Sequence, residues 1–161
     1  MLTFEEAVDL FSYDEQTGNL IRRATRGNQP AGSIAGHTTI EGYVVISING
    51  RTYKAHRIVW LIKTGIWPNM DIDHEDTDKA NNRWANLRLA DDSTNGANRP
   101  VRRDNKLGVK GITLQRRAKR YLARLTVRGH TRVIGWFDSI DDAKSAYDAA
   151  ASDAFGQYHR S

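Results

Sequence analysis

Between residues 43 and 55 the chain has room for little except an antiparallel hairpin. Tyr43-Val-Val-Ile-Ser-Ile48 and Arg51-Thr-Tyr-Lys-Ala55 are rich in β-branched and aromatic residues. Asn49-Gly50 between them supplies the two positive φ values that a two-residue turn needs. Directly afterwards, His56 to Thr64 is apolar at Ile58, Val59, Trp60, Leu61 and Ile62, and it stops at Gly65 with Pro68 just beyond. A surface strand does not carry five consecutive apolar residues, so this segment reads as a buried helix closed by a glycine cap.

The flanking segments are read around that fixed point. Thr3 caps a short helix with Glu5 and Glu6 in its first turn and Phe4, Ala7, Val8 and Phe11 along one side, ending by Tyr13. Asn19 to Arg23 reads as a short strand and Ala24 to His37 as loop. Asp71 to His74 and Asn86 to Leu89 read as strands separated by the polar stretch Glu75 to Arg83, and Asp91 to Asn98 reads as a short helix. Residues 99–106, with Pro100, three arginines and no apolar periodicity, have the composition of a linker. Beyond it, Gly108 to Thr113, Lys119 to Val127 and Thr131 to Asp138 read as strands, the last two joined by Arg128-Gly-His130. Ser139 followed by Asp142 opens a helix in which Ile140, Ala143, Ala146, Tyr147, Ala150, Ala151, Ala154 and Phe155 recur at helical spacing. The fold class is α+β, with an amino-terminal domain over 1–98, a basic linker over 99–106 and, over 107–161, a three-stranded antiparallel sheet packed on one helix. On the middle strand Tyr121, Ala123, Leu125 and Val127 are expected to face the helix, and Arg120, Leu122, Arg124 and Thr126 to face outward.

Charge separates the same regions. The 161 residues carry 24 Lys and Arg against 19 Asp and Glu, a net charge of +5, but the distribution is in blocks. Residues 1–98 hold 10 basic and 13 acidic side chains, residues 99–133 hold 12 and 1, and residues 134–161 hold 2 and 5. Twelve cations interleaved with apolar residues make a folded basic surface suited to a polyanion, with nucleic acid the first candidate and a solvated mixed-charge face the bland one. The chain has no apolar run near 18 residues, and Glu5, Glu6 and Asp9 occupy its first ten positions, which argues against a membrane span or secretory signal and for a cytoplasmic protein. Zero cysteines leave any metal to Asp, Glu, Asn or His.

Asp73, His74, Asn86 and Asn95 are the residue types that a single-metal phosphodiester site requires. An imidazole titrating near pH 6.5 is a base for water, an amide oxygen can aim its ring, and one carboxylate with one neutral ligand leaves a hard cation open to phosphate oxygens. From residue types alone, an adjacent Asp-His pair more often marks a surface or a turn than a catalytic centre. If the strand is regular, Asp73 and His74 point to opposite faces, and a twist or bulge has to bring them to one site. Asp71, Asp73, Glu75, Asp76 and Asp78 are dense in oxygens, yet they lack the glycine and terminal glutamate of an EF-hand. His56 reads as structural, and His37, His130 and His159 lie in turns or the tail.

The run Ala55-His-Arg-Ile-Val-Trp60, Gly65-Ile-Trp-Pro68, Ile72-Asp-His74, Asp78-Lys-Ala-Asn-Asn82, Asn86-Leu-Arg-Leu89 and Asn95 resembles the phage-type HNH homing endonucleases, a likeness that extends to Tyr13-Asp14 through Gly18 and to Gly42-Tyr43. The resemblance implies a ββα-metal nuclease fold, with Asp73 as metal ligand, His74 as general base, Asn86 as the residue orienting it, and Asn95 as second ligand in place of the family's last histidine. From 106 to 158 the chain resembles the Apetala-2/ERF DNA-binding domain, through Gly108-Val-Lys110, Arg120-Tyr-Leu-Ala-Arg124, Ile134-Gly-Trp-Phe137, Asp141-Asp-Ala143, Ala146-Tyr-Asp-Ala-Ala150 and Phe155-Gly156. That likeness implies Lys110, Arg116, Arg117, Lys119, Arg120 and Arg124 as DNA contacts. Thr131 and Val133 stand where the plant proteins have Arg and Trp, and Arg132 is adjacent.

The expected function is a homing-type, metal-dependent endonuclease that hydrolyses double-stranded DNA with one Mg²⁺ or Mn²⁺ per active site. It is expected to nick one strand as a monomer, with self-association for a double-strand cut, in a bacterial host's cytoplasm if phage-encoded. The rival is a sequence-specific DNA-binding regulator whose HNH half is inactive.

Overall fold

The structure, a computed structural model, describes residues 1–159, leaving aside the side-chain surroundings of residues 92, 93, 96 and 157. Residues 160 and 161, the end of the expected carboxy-terminal domain, lie outside the described residues. The chain divides into two compact units, Met1–Leu89 and Ala90–Ser161.

In the first unit, α1 (Phe4–Leu10) begins on a reciprocal cap: the Glu6 amide donates to Thr3 Oγ1 at 3.2 Å and the Thr3 amide to Glu6 Oε2 at 2.9 Å. The helix stops at Leu10 rather than near Tyr13, because Phe11 turns extended at φ −134° and starts β1 (Phe11–Tyr13), paired with β2 (Leu20–Arg22). The loop that follows also yields an edge strand, β3 (His37–Thr38), which pairs with β4 (Val44–Ile48). The hairpin from β4 to β5 (Arg51–Lys54) turns on Asn49 and Gly50 at φ 49° and 77°. Next, α2 (Ala55–Thr64) ends at left-handed Gly65, whose amide donates to Leu61 O at 2.8 Å. Its inward face, with Ile58, Val59 and Leu61, packs against Ala7, Phe11, Leu20, Ile46, Ile48, Ile72 and Leu87. Cutting Ile58 back to Ala should cost about 2–5 kcal/mol. β6 (Asp71–His74) pairs with β7 (Leu87–Ala90), and a single 3₁₀ turn, Trp84–Asn86, leads into β7. Asn86 therefore sits in that turn and not on the strand.

The second unit opens with α3 (Asp92–Asn98), which packs against the later helix of the same unit. Composition places the break in the chain at 99–106; the compact units meet earlier, at Leu89 and Ala90. β8 (Ile112–Gln115), β9 (Arg120–Val127) and β10 (His130–Phe137) form an antiparallel sheet in the order β10-β9-β8. β8 starts at Ile112, later than Gly108, because Gly108 and Gly111 hold φ 67° and 66°. At Gly111 the approach is also close: a Cβ there would run into the Tyr147 ring and the Arg124 carbonyl. The helix α4 (Ile140–Phe155) is capped by Ser139, whose Oγ accepts from the Asp142 amide at 3.1 Å. Ala143 and Ala151 on its inner face are fully buried, and such small side chains let the helix axis lie close to the sheet. Leu122 departs from the expected alternation. It is buried on the outer face, where its cross-strand partners Thr113 and Trp136 flank it. No helix among the described residues is long and apolar enough to cross a membrane.

Candidate active site

The hairpin, α2 and β6 converge on two imidazoles. His56, the second residue of α2, is 3% exposed, and His74, the last residue of β6, is 4% exposed. Their ring centroids lie 4.9 Å apart with the planes nearly perpendicular, and the Tyr43 ring is 5.6 Å from the first and 6.2 Å from the second. On a further edge, His74 Nε2 pairs with Asn82 Oδ1 at 3.2 Å. Burial pushes the His74 pKa down, against the opposing pull of Asn82, Asp76, Asp73 and Asp78, so the ring is neutral at neutral pH. His56 is driven to about 3 by burial and by the charges of His74, Lys54 and Arg57, and its Nδ1 is buried without a hydrogen-bond partner.

Asn82, eight positions on, thus hydrogen-bonds the His74 ring. Asn86, the expected orienter, has its amide engaged elsewhere. Its Oδ1 accepts from the Asp76 amide at 3.0 Å, and its Nδ2 donates to Asp76 Oδ1 at 3.0 Å and to Asn81 O at 2.8 Å. With the Glu75 amide donating to Asn86 O at 3.0 Å, Asn86 is the hub of the loop 75–83. Burial raises the Asp76 pKa, but donors from Asn81, the Asp78 amide and Asn86 outweigh it and hold the carboxyl below the usual range. Asn82 is fixed from the other side by the β1–β2 turn. Tyr13 Oη donates to Asn82 O at 3.0 Å, Arg83 Nε donates to Gln16 O at 2.6 Å, and Gly18 leaves no room for a Cβ against the backbone of Asn82 and Arg83. A contact spanning a polar loop leaves no periodicity in the sequence, so nothing in the pattern around Asn82 marks it as the partner of His74.

Asp73 is buried beside His74 but has a different partner, Arg88 on β7, whose Nε and Nη2 lie 3.0 and 2.9 Å from its Oδ2. Among the described residues no three His, Cys, Asp or Glu side chains converge as a metal cage. What is present is a hard oxygen donor on a buried carboxylate, which suits a cation such as Mg²⁺ that keeps most of its waters. At Oδ2 a cation would compete with the guanidinium, so the Asp73 carboxylate suits a hard cation that shares it with Arg88 or displaces it.

In the second unit Asn95 lies on α3, half-buried, its amide N–H bonded to Asp91 O at 2.9 Å. Of the six expected DNA contacts, Arg116, Arg117, Lys119, Arg120 and Arg124 are exposed and Lys110 is half-buried. Lys110 donates to Ala97 O at 2.8 Å, and Arg120 pairs with Asp138 at 2.8 Å. Arg124 stands across from Val133, itself 59% exposed, on the face away from α4.

Comparison with known proteins bears on the first unit above all. Residues 53–97 match the family model described as HNH endonuclease. The chain is 30% identical over 107 residues, 65% of its length, to a protein of Acanthamoeba polyphaga mimivirus named as an uncharacterized HNH endonuclease. The match covers 54% of that protein, so the chain spans about half the length of the curated relative it matches. No solved structure gives a significant match.

Proposed function

We propose that the chain is a metal-dependent, homing-type DNA endonuclease in which residues 1–98 cut and residues 107–161 anchor it to double-stranded DNA. The observation that carries this is the His74 ring, neutral, held by Asn82 and packed against His56 and Tyr43, adjoining the buried carboxylate of Asp73 inside the stretch that matches the HNH family.

In this reading His74 takes the proton of a water that attacks the phosphorus in line, since a neutral imidazole has a lone pair to receive it. Asn82 fixes the ring's rotation, and Asn86 acts one step away by holding the loop that carries Asn82. Asp73 is the side chain of the first unit that we assign to hold Mg²⁺ or Mn²⁺, and the family resemblance adds Asn95 as the second ligand. A divalent cation supplies charge stabilisation at the phosphate and at the departing 3′-oxygen. The products are a 5′-phosphate and a 3′-hydroxyl. One site cuts one strand, so the monomer nicks, and two copies or two visits are needed for a double-strand break.

The second unit is read as an Apetala-2/ERF-like anchor, supported by the 12 to 1 excess of basic over acidic residues in 99–133 and by the exposed Arg116, Arg117, Lys119 and Arg124. Lys110 already donates to Ala97 O and Arg120 pairs with Asp138, so both cations would share their donors between the protein and a phosphate. Incubation with supercoiled plasmid tests the proposal: Mg²⁺ or Mn²⁺ should give nicked circles and EDTA none. Tight DNA binding with no metal-dependent nick on any DNA would instead identify a regulator with an inactive HNH half.

A further inference from the structure

A pair of cations stands beside the site without belonging to it. Lys54 Nζ lies 4.1 Å and Lys79 Nζ 4.8 Å from the centroid of the Tyr43 ring. The two come from distant parts of the chain: Lys54 ends β5, whereas Lys79 lies in the loop after β6 and donates to Glu41 O at 3.1 Å in the turn between β3 and β4. Both side chains are exposed. The two ammonium groups can be no further apart than those two distances laid end to end, inside the Debye length of about 10 Å at 0.1 M salt, so they repel. Cation–π attraction at an exposed ring, about 0.5–1 kcal/mol each, offsets part of this.

Neutralisation by carboxylates does not offset the rest. Among the described residues neither lysine makes an ion pair, although Glu41, Glu75, Asp76 and Asp78 lie in the same two segments. Two uncompensated cations spread over an aromatic plate form a site for an anion with several oxygens. The same ring lies 5.6 Å from the His56 ring and 6.2 Å from the His74 ring, so an anion held by the two ammonium groups lies in the neighbourhood of the general base. We infer that Lys54 and Lys79, spaced by Tyr43, grip a DNA backbone phosphate neighbouring the one that is cut. This inference rests on the nuclease reading for the identity of its ligand. It gives the first unit, near balance in charge, its own hold on the strand, independent of the basic block over 99–133.

Salt-dependent binding of the full chain to a DNA duplex in EDTA tests it, with Lys54→Gln, Lys79→Gln, the double variant, and Lys63→Gln as control. Lys63 is already paired with Glu15 at 2.5 Å. Each grip lysine should flatten the plot of log K against log salt by about 0.9, and the double variant by about 1.8, while the control keeps the parent slope. Thermal unfolding checks that all variants are folded. A parent slope in the double variant overturns the inference, even if the parent nicks DNA. A flattened slope with a parent that never nicks keeps the phosphate site and removes the nuclease reading, so the two failures are distinct.

Discussion

His74 has to be neutral, aimed and close to a carboxylate, and separate neighbours supply each property. Burial against His56 and Tyr43 keeps the proton off, Asn82 fixes the ring, and Asp73, near enough to act on the ring by its charge, is the carboxylate. Asn82→Ala should therefore slow single-turnover nicking about tenfold or more while DNA affinity stays within twofold. Asn86→Ala should first loosen the loop, costing about 1–3 kcal/mol in urea unfolding for the donors and acceptors it strands. His56 predicts a pH effect on stability. The folded protein keeps it neutral down to about pH 3, whereas the unfolded chain protonates it near 6.5. Its contribution is complete above that unfolded value and is lost as pH falls, by up to about 1.4 kcal/mol per unit, since only the unfolded state gains the proton. Urea midpoints between pH 7.5 and 5 should fall less steeply for His56→Gln than for the parent. At this scale the burial of Asp73 and His74 on one strand is what the sequence could suggest, through the family resemblance and not through their adjacency. Asn82, His56 and Arg88 were not legible, because each meets its partner through a loop, a helix start or a neighbouring strand.

Elements built on local chemistry were the ones most readable. The Asn49-Gly50 hairpin, the Gly65 stop of α2 and the Ser139 cap of α4 fall where turn and cap residues put them. The misreadings arose where tertiary pairing overrides local preference: Phe11 leaves the helical pattern to pair with Arg22, and His37 and Thr38 leave the loop to pair with β4. Leu122 is buried by strand neighbours that alternation along one strand cannot reveal. Gly18 links element to site. It holds φ 79° with its α-carbon against the backbone of Asn82 and Arg83, so Gly18→Ala combines left-handed strain of about 1–2 kcal/mol with a clash. That variant should lose stability and, more tellingly, nicking rate per folded molecule, because displacing Asn82 frees the His74 ring. A folded Gly18→Ala protein that nicks at the parent rate would separate the β1–β2 turn from the site.

For the molecule as a whole, charge divides the labour. Residues 1–98, with 13 acidic against 10 basic side chains, hold the groups proposed to react, and the basic block over 99–133 is the part suited to a polyanion. Arg124→Ala should weaken binding and flatten the salt dependence by about 0.9, with nicking by the bound complex unchanged. His74→Ala should do the opposite. The most direct test of the account follows His74→Ala and the parent on one duplex with Mg²⁺, measuring affinity and single-turnover nicking together. The account predicts at least about a hundredfold loss of nicking with affinity within twofold. Nicking by His74→Ala at the parent rate would contradict it.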